Sequence, residues 1–150
     1  MYKTKLVHLI TVACAVAAMA LPYGAVCRYM SPDSVNGASK EIVETYSYFS
    51  LIPYGYANFA PLITAVLTCV LLLLVLMLFA NADTKPVKLA TAIVSGAAFV
   101  TSLLPAVLFG VQYVTSISLV VSFLLGCSLW MSIQHCTGRY YEEEKDETEE

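Results

Sequence analysis

The stretch Asn58–Ala80, NFAPLITAVLTCVLLLLVLMLFA, limits what this chain can become more than any other. It is uncharged over about 23 residues, and at 1.5 Å per residue it crosses a hydrocarbon core of roughly 30 Å. Leucine, isoleucine, valine and phenylalanine each favour insertion by about 0.3–0.6 kcal/mol near a helix centre, and nothing in the segment opposes them. A helix on a soluble core rarely shows apolar residues on every face for so long. An integral membrane protein is therefore expected. Composition agrees: 59% of the residues are hydrophobic and 13% charged, against about 45–50% and about 25% in soluble domains.

Three further apolar runs complete a four-span reading. The first covers about 6–27. Ala18-Met19-Ala20 resembles a signal-peptidase site, so a cleaved leader competes with a retained helix. The retained helix is preferred, because the apolar run continues through Gly24-Ala25-Val26-Cys27 to spanning length. The second span is 58–80. The third, 87–109, has Pro86 near its start and Gly110 as a C-terminal cap. The fourth, 113–134, follows so closely that the two form an antiparallel hairpin. The expected fold is all-α: one membrane domain, residues 1–139, built as a bundle of four transmembrane helices.

The loop 28–57 is the only long polar connection. Ser31-Pro32-Asp33 and Asn36-Gly37 are turn signals. Beyond them Ile42, Tyr46 and Phe49 fall on one helical face, with Ser39 as cap, which predicts an outer amphipathic loop helix on the bilayer surface. Tyr46, Tyr48, Tyr54 and Tyr56 suit an aromatic belt. After the fourth span, residues 140–150 read as a disordered acidic tail. Glu142–Glu150 has seven acids and one lysine, a charge of −6; the whole chain carries −3, so the remainder is +3.

Orientation follows from the basic residues. With both termini cytoplasmic, Lys3, Lys5, Lys85, Lys88, Arg139 and Lys145 lie inside, and only Arg28 and Lys40 outside. The cell membrane, plasma or cytoplasmic, is the expected location.

Small residues mark the packing faces. Ser118, Ser122 and Gly126 recur every fourth residue, and Ser95 and Gly96 lie on the third span among Thr91, Ala98 and Ser102. In lipid such residues let helices approach closely. The leucine-rich second span should then face lipid, leaving the first, third and fourth at the centre. His8 is the only ionisable group expected inside a span.

The chain lacks HExxH, GxSxG, a phosphate-binding loop and paired carboxylates, and it has five cysteines with no CxxC. No enzyme, cofactor, metal or nucleic-acid partner is expected. Partners are the bilayer and another membrane protein, or a second copy. The expected function is that of a non-enzymatic accessory or assembly subunit; the alternative is a small oligomeric channel or transporter subunit. Leu21-Pro22-Tyr23-Gly24 and Ile52-Pro53-Tyr54-Gly55 repeat Pro-Tyr-Gly at the outer boundary, where Pro61 and Pro105 also fall. Proline displaces a helix, which suggests an outer vestibule or partner surface formed by Pro22, Tyr46, Tyr54, Tyr56, Pro61 and Pro105.

Overall fold

A computed structural model describes residues 2–32, 39–55, 58–80 and 84–137. The long helices are α1 (Tyr2–Ala20), α3 (Ala60–Phe79), α4 (Lys85–Phe109) and α5 (Ser116–Thr137); α2 is the single turn Ile52–Gly55. All four long helices are long and apolar enough to cross a membrane, and the protein is a multi-pass bundle. Consecutive long helices pack against each other, and α5 closes the ring by returning to α1.

The loop after α1 departs from expectation. It is no amphipathic helix but an antiparallel pair, β1 (Ala25–Pro32) and β2 (Ser39–Tyr46), in the register Ala25↔Tyr46 to Pro32↔Ser39. The helical reading of this loop rested on three apolar positions. Pairing offers a hydrogen-bonded ladder along eight residues of each strand, and the β-branched and aromatic residues Ile42, Val43, Thr45 and Tyr46 favour a pleated surface. The turn signal Asn36-Gly37 lies between the strands, outside the described residues, as does the acidic tail.

The pairing also shortens the first span. α1 ends at Ala20 instead of near Cys27, because Pro22 has no backbone N–H to continue the helix and the chain enters β1 at Ala25. α4 stops where the sequence places its cap: Gly110 has φ 88°, and its N–H reaches the Ala106 carbonyl at 3.1 Å. That backbone conformation is open to glycine and strained for other residues.

The second span is not peripheral. α3 packs on both α1 and α4, and buries Thr64, Thr68, Leu71, Val75 and Leu78 in a stripe. A ring of four needs an inward face from each member, so the leucines divide between core and lipid. At mid-bundle Val12, Ala15, Leu71, Ala98, Val121 and Leu125 are fully buried and close the centre.

Candidate functional site

The strands, the 3-10 turn Val111–Tyr113 and the start of α5 form a cap at one end of the bundle. Several long-range bonds tie it down. Asn58 Nδ2 donates to the Val26 carbonyl at 3.1 Å, Arg28 donates to the Gln112 carbonyl at 3.3 Å, and Thr115 Oγ1 donates to the Gly24 carbonyl at 3.4 Å. The Tyr48 N–H donates to the Met19 carbonyl at 3.0 Å, holding the strand exit against the end of α1. Tyr48 itself is 2% exposed and belongs to the apolar core.

Beneath the cap is a recess of about 50 Å³. Gly24 and Val26 from the strands' base, Tyr48, Asn58, Pro61, Pro105 and the serines Ser102, Ser118 and Ser122 line it. Ser102 donates to the Phe99 carbonyl at 2.7 Å and Ser118 to the Thr115 carbonyl at 2.8 Å, so both hydroxyl protons are engaged. Asn58 is 3% exposed, and its Oδ1 is buried without a partner.

The strand cap carries polar and aromatic side chains on both faces of the ribbon. Arg28 pairs with Glu41 at 3.0 Å and lies 5.7 Å from the centre of the Tyr113 ring. The Tyr46 hydroxyl donates to Glu44. This bond, followed by one from Tyr29, holds the Glu44 carboxyl below its ordinary range. The same bond pushes Tyr46 up to about 12. Burial, then the Glu44 charge, pushes the Cys27 thiol up.

Of the residues singled out from sequence for a vestibule, Pro61 and Pro105 meet at the recess. Pro22 is exposed between α1 and β1, Tyr46 lies on β2, and Tyr54 is exposed on α2. Tyr56 lies outside the described residues. The tyrosine that reaches the recess from the loop is Tyr48. At this volume the recess is far too small for a lipid tail or a helix. Of the packing residues, Ser95 and Ser122 are buried, and Ser118 and Ser122 also face the recess. A Cβ on Gly126 would stand 3.3 Å from the Phe99 ring and one on Gly96 3.7 Å from Leu129, so both glycines lie at the α4–α5 contact.

A second polar layer lies at the opposite end, and the sequence shows only half of it. His8 Nε2 and Ser128 Oγ are 2.8 Å apart, and Ser95 Oγ is 3.5 Å from Ser128 Oγ. The His8 ring stacks on His135, with centroids 5.8 Å apart and planes at 15°. The expected fourth span stops at 134, which leaves His135 outside; α5 runs to Thr137 and turns it inward. Their spacing in sequence conceals the pair, since only the return of α5 to α1 brings them together. The Ser128–His8 distance is that of a nucleophile and base. Both side chains are almost wholly buried. Among the described residues no three metal-ligating side chains cluster.

The remaining buried hydroxyls mostly serve their own helices. Thr68 donates to the Thr64 carbonyl, Thr91 to Val87, and Ser132 to Ser128, each at 2.7–2.8 Å. Such back-bonding satisfies a hydroxyl without water. The two polar layers are separated by a fully buried apolar belt of Val12, Leu71, Ala98, Val121 and Leu125. No family model, curated protein or solved structure matches the chain.

Proposed function

We propose that this protein is a non-enzymatic accessory subunit that presents its strand cap to a membrane partner on the outer side, with both termini in the cytoplasm of a plasma or cytoplasmic membrane. The observation that carries this reading is the cap's construction. An isolated two-stranded ribbon is marginal in water. Here one is fixed to the bundle by Asn58, Arg28 and Thr115, yet it holds apolar side chains outward: Met30 is 70% exposed, and Val43, across from Arg28 on the same face, is also exposed. Ordered apolar groups beside an ion pair fit a recognition surface with an apolar centre and a polar rim.

The closed apolar belt weighs against conduction through a single chain. A channel formed between several copies is the competing outcome. A photocrosslinker at Val43 in intact cells separates them, with Leu73 on the lipid face as control. The accessory reading expects a discrete adduct with a different protein at Val43 and none at Leu73. Adducts with the chain itself only, together with solute flux in liposomes, would establish the channel reading instead.

A further inference from the structure

The recess under the cap holds more hydrogen-bonding capacity than the protein uses. Asn58 Oδ1 is a buried acceptor without a partner, although its Nδ2 is bonded to Val26. Among the described residues no hydrogen bond reaches the Tyr48 hydroxyl or the Ser122 hydroxyl, yet both residues line the same recess and are buried. A buried polar group left unmade costs about 1–3 kcal/mol. One such atom, Asn58 Oδ1, beside two hydroxyls that make no bond and a space large enough for water, points to a guest that satisfies them.

The lining also sets the guest's chemistry. No carboxylate, ammonium or guanidinium lines the recess, so nothing there compensates a charged guest, and an ion would be desolvated at large cost. Tyr48 offers a donor, Asn58 Oδ1 an acceptor, and Ser122 can act as either. Ser102 and Ser118, their protons committed to Phe99 and Thr115, offer only lone pairs. A hydroxyl group, which both donates and accepts, matches this set. The volume of about 50 Å³ has room for about three waters, or a guest of similar size.

We infer that the recess between Tyr48, Asn58 and Ser122 is a binding site for a small neutral hydroxylic molecule, with water as its occupant otherwise. The guest joins the strands' base to α4 and α5 and completes the bonding of the cap. This site is distinct from the outer face of the cap and does not depend on a protein partner.

The full-length protein in mild detergent tests it. Ser102→Cys, and Ser118→Cys as a second position on the same lining, are treated with methyl methanethiosulfonate, and the modified peptides are quantified by mass spectrometry. Ala98→Cys, at a fully buried position of the apolar belt, is the control. Because thiol reactivity follows access, the recess positions should react about tenfold faster or more than the control. Ethylene glycol should slow them about twofold or more by occupying the site, while the same concentration of sorbitol, too large for the recess, should not. Equal rates at the recess and control positions would show a dry void and overturn the inference. Slowing by both polyols would be a general solvent effect, and slowing by neither would leave water alone in the recess; each also overturns it.

Discussion

The Tyr48 ring lies directly against the backbone of Gly24: a Cβ on Gly24 would stand 2.5 Å from Tyr48 Cδ2 and 2.7 Å from Cε2. Gly24 ends the first Pro-Tyr-Gly sequence, and this contact explains why a side chain is missing there. It also locks the strand exit, because the Gly24 N–H donates to the Tyr46 carbonyl while the Tyr48 N–H donates to Met19. Gly24→Ala should force the ring or the strand to move and cost about 1–3 kcal/mol, the usual range for overpacking. Thermal unfolding in detergent measures this. Gly24→Ala combined with Tyr48→Leu should cost less than the two single losses added, since the ring that clashes is gone. A Gly24→Ala protein as stable as the parent would show that the ring is free to swing aside.

Gly126 makes the corresponding contact within the bundle. A Cβ there would be 3.3 Å from the Phe99 ring, tighter than ordinary packing, whereas Leu73 is 62% exposed toward lipid. Gly126→Leu should therefore lower the midpoint of thermal unfolding well below that of Leu73→Ala, because lipid replaces the trimmed leucine but nothing makes room for the added side chain. Equal losses would place the α4–α5 contact elsewhere.

The His8–Ser128 bond links the first helix to the last. Interhelical hydrogen bonds in membranes average about 0.6 kcal/mol and reach about 1.7. Ser128→Ala and His8→Ala should each destabilise the fold, and the double-mutant cycle should return a coupling of about 0.5–1.5 kcal/mol. His8→Ala should cost more by itself, because it also leaves a cavity beside His135. A coupling near zero would mean that the two side chains do not bond in the folded protein.

The spans were legible because crossing a bilayer demands a length and a composition that little else in a sequence mimics. Gly110 was legible for a local reason, its place at the end of an apolar run beside a short turn. The strands were missed although Asn36-Gly37, a strong hairpin signal, stood between two eight-residue runs. The single helical face of Ile42, Tyr46 and Phe49 is a competing signal that points to a helix over the same residues. The recess was half legible: Pro61 and Pro105 mark the helices that border it. Tyr48 gave no sign of being the residue that fills the loop side, since four tyrosines of similar setting occur there and only the strand register selects one. The His8–His135 stack was not legible, because it depends on α5 closing the ring.

Acid should loosen the cap before the bundle. Glu44 has its carboxyl lowered from the ordinary value of 4.5, first by the Tyr46 hydroxyl and then by Tyr29. A depressed carboxyl contributes stability that is present above its unfolded value and is lost as the pH falls through its folded value. Amide hydrogen exchange in β2 should therefore speed up, after correction for intrinsic rates, as the pH drops below 4.5, while α3 stays protected. Glu44→Gln should remove that dependence. A cap whose exchange follows the intrinsic rate alone would mean that the phenol bonds contribute nothing.

The cysteines test the topology and the packing of the strands' base together. From sequence, Cys27 at the outer end of a retained first helix should be the thiol most reactive from outside. The structure reverses this. Cys27 lies on β1 and is 1% exposed, and burial and the Glu44 charge push its thiol up, so little thiolate forms and reagent cannot reach it. Cys136 is exposed near the end of α5, at the opposite end of the bundle. A membrane-impermeant maleimide applied to intact cells should label neither residue. After permeabilisation Cys136 should react and Cys27 should not, until denaturant opens the cap and the Cys27 peptide becomes modified as well. Labelling of Cys136 in intact cells would invert the proposed orientation. Rapid labelling of Cys27 in the folded protein would mean instead that the strands' base stands away from the helices, and the closed recess with its Tyr48 side would fall with it.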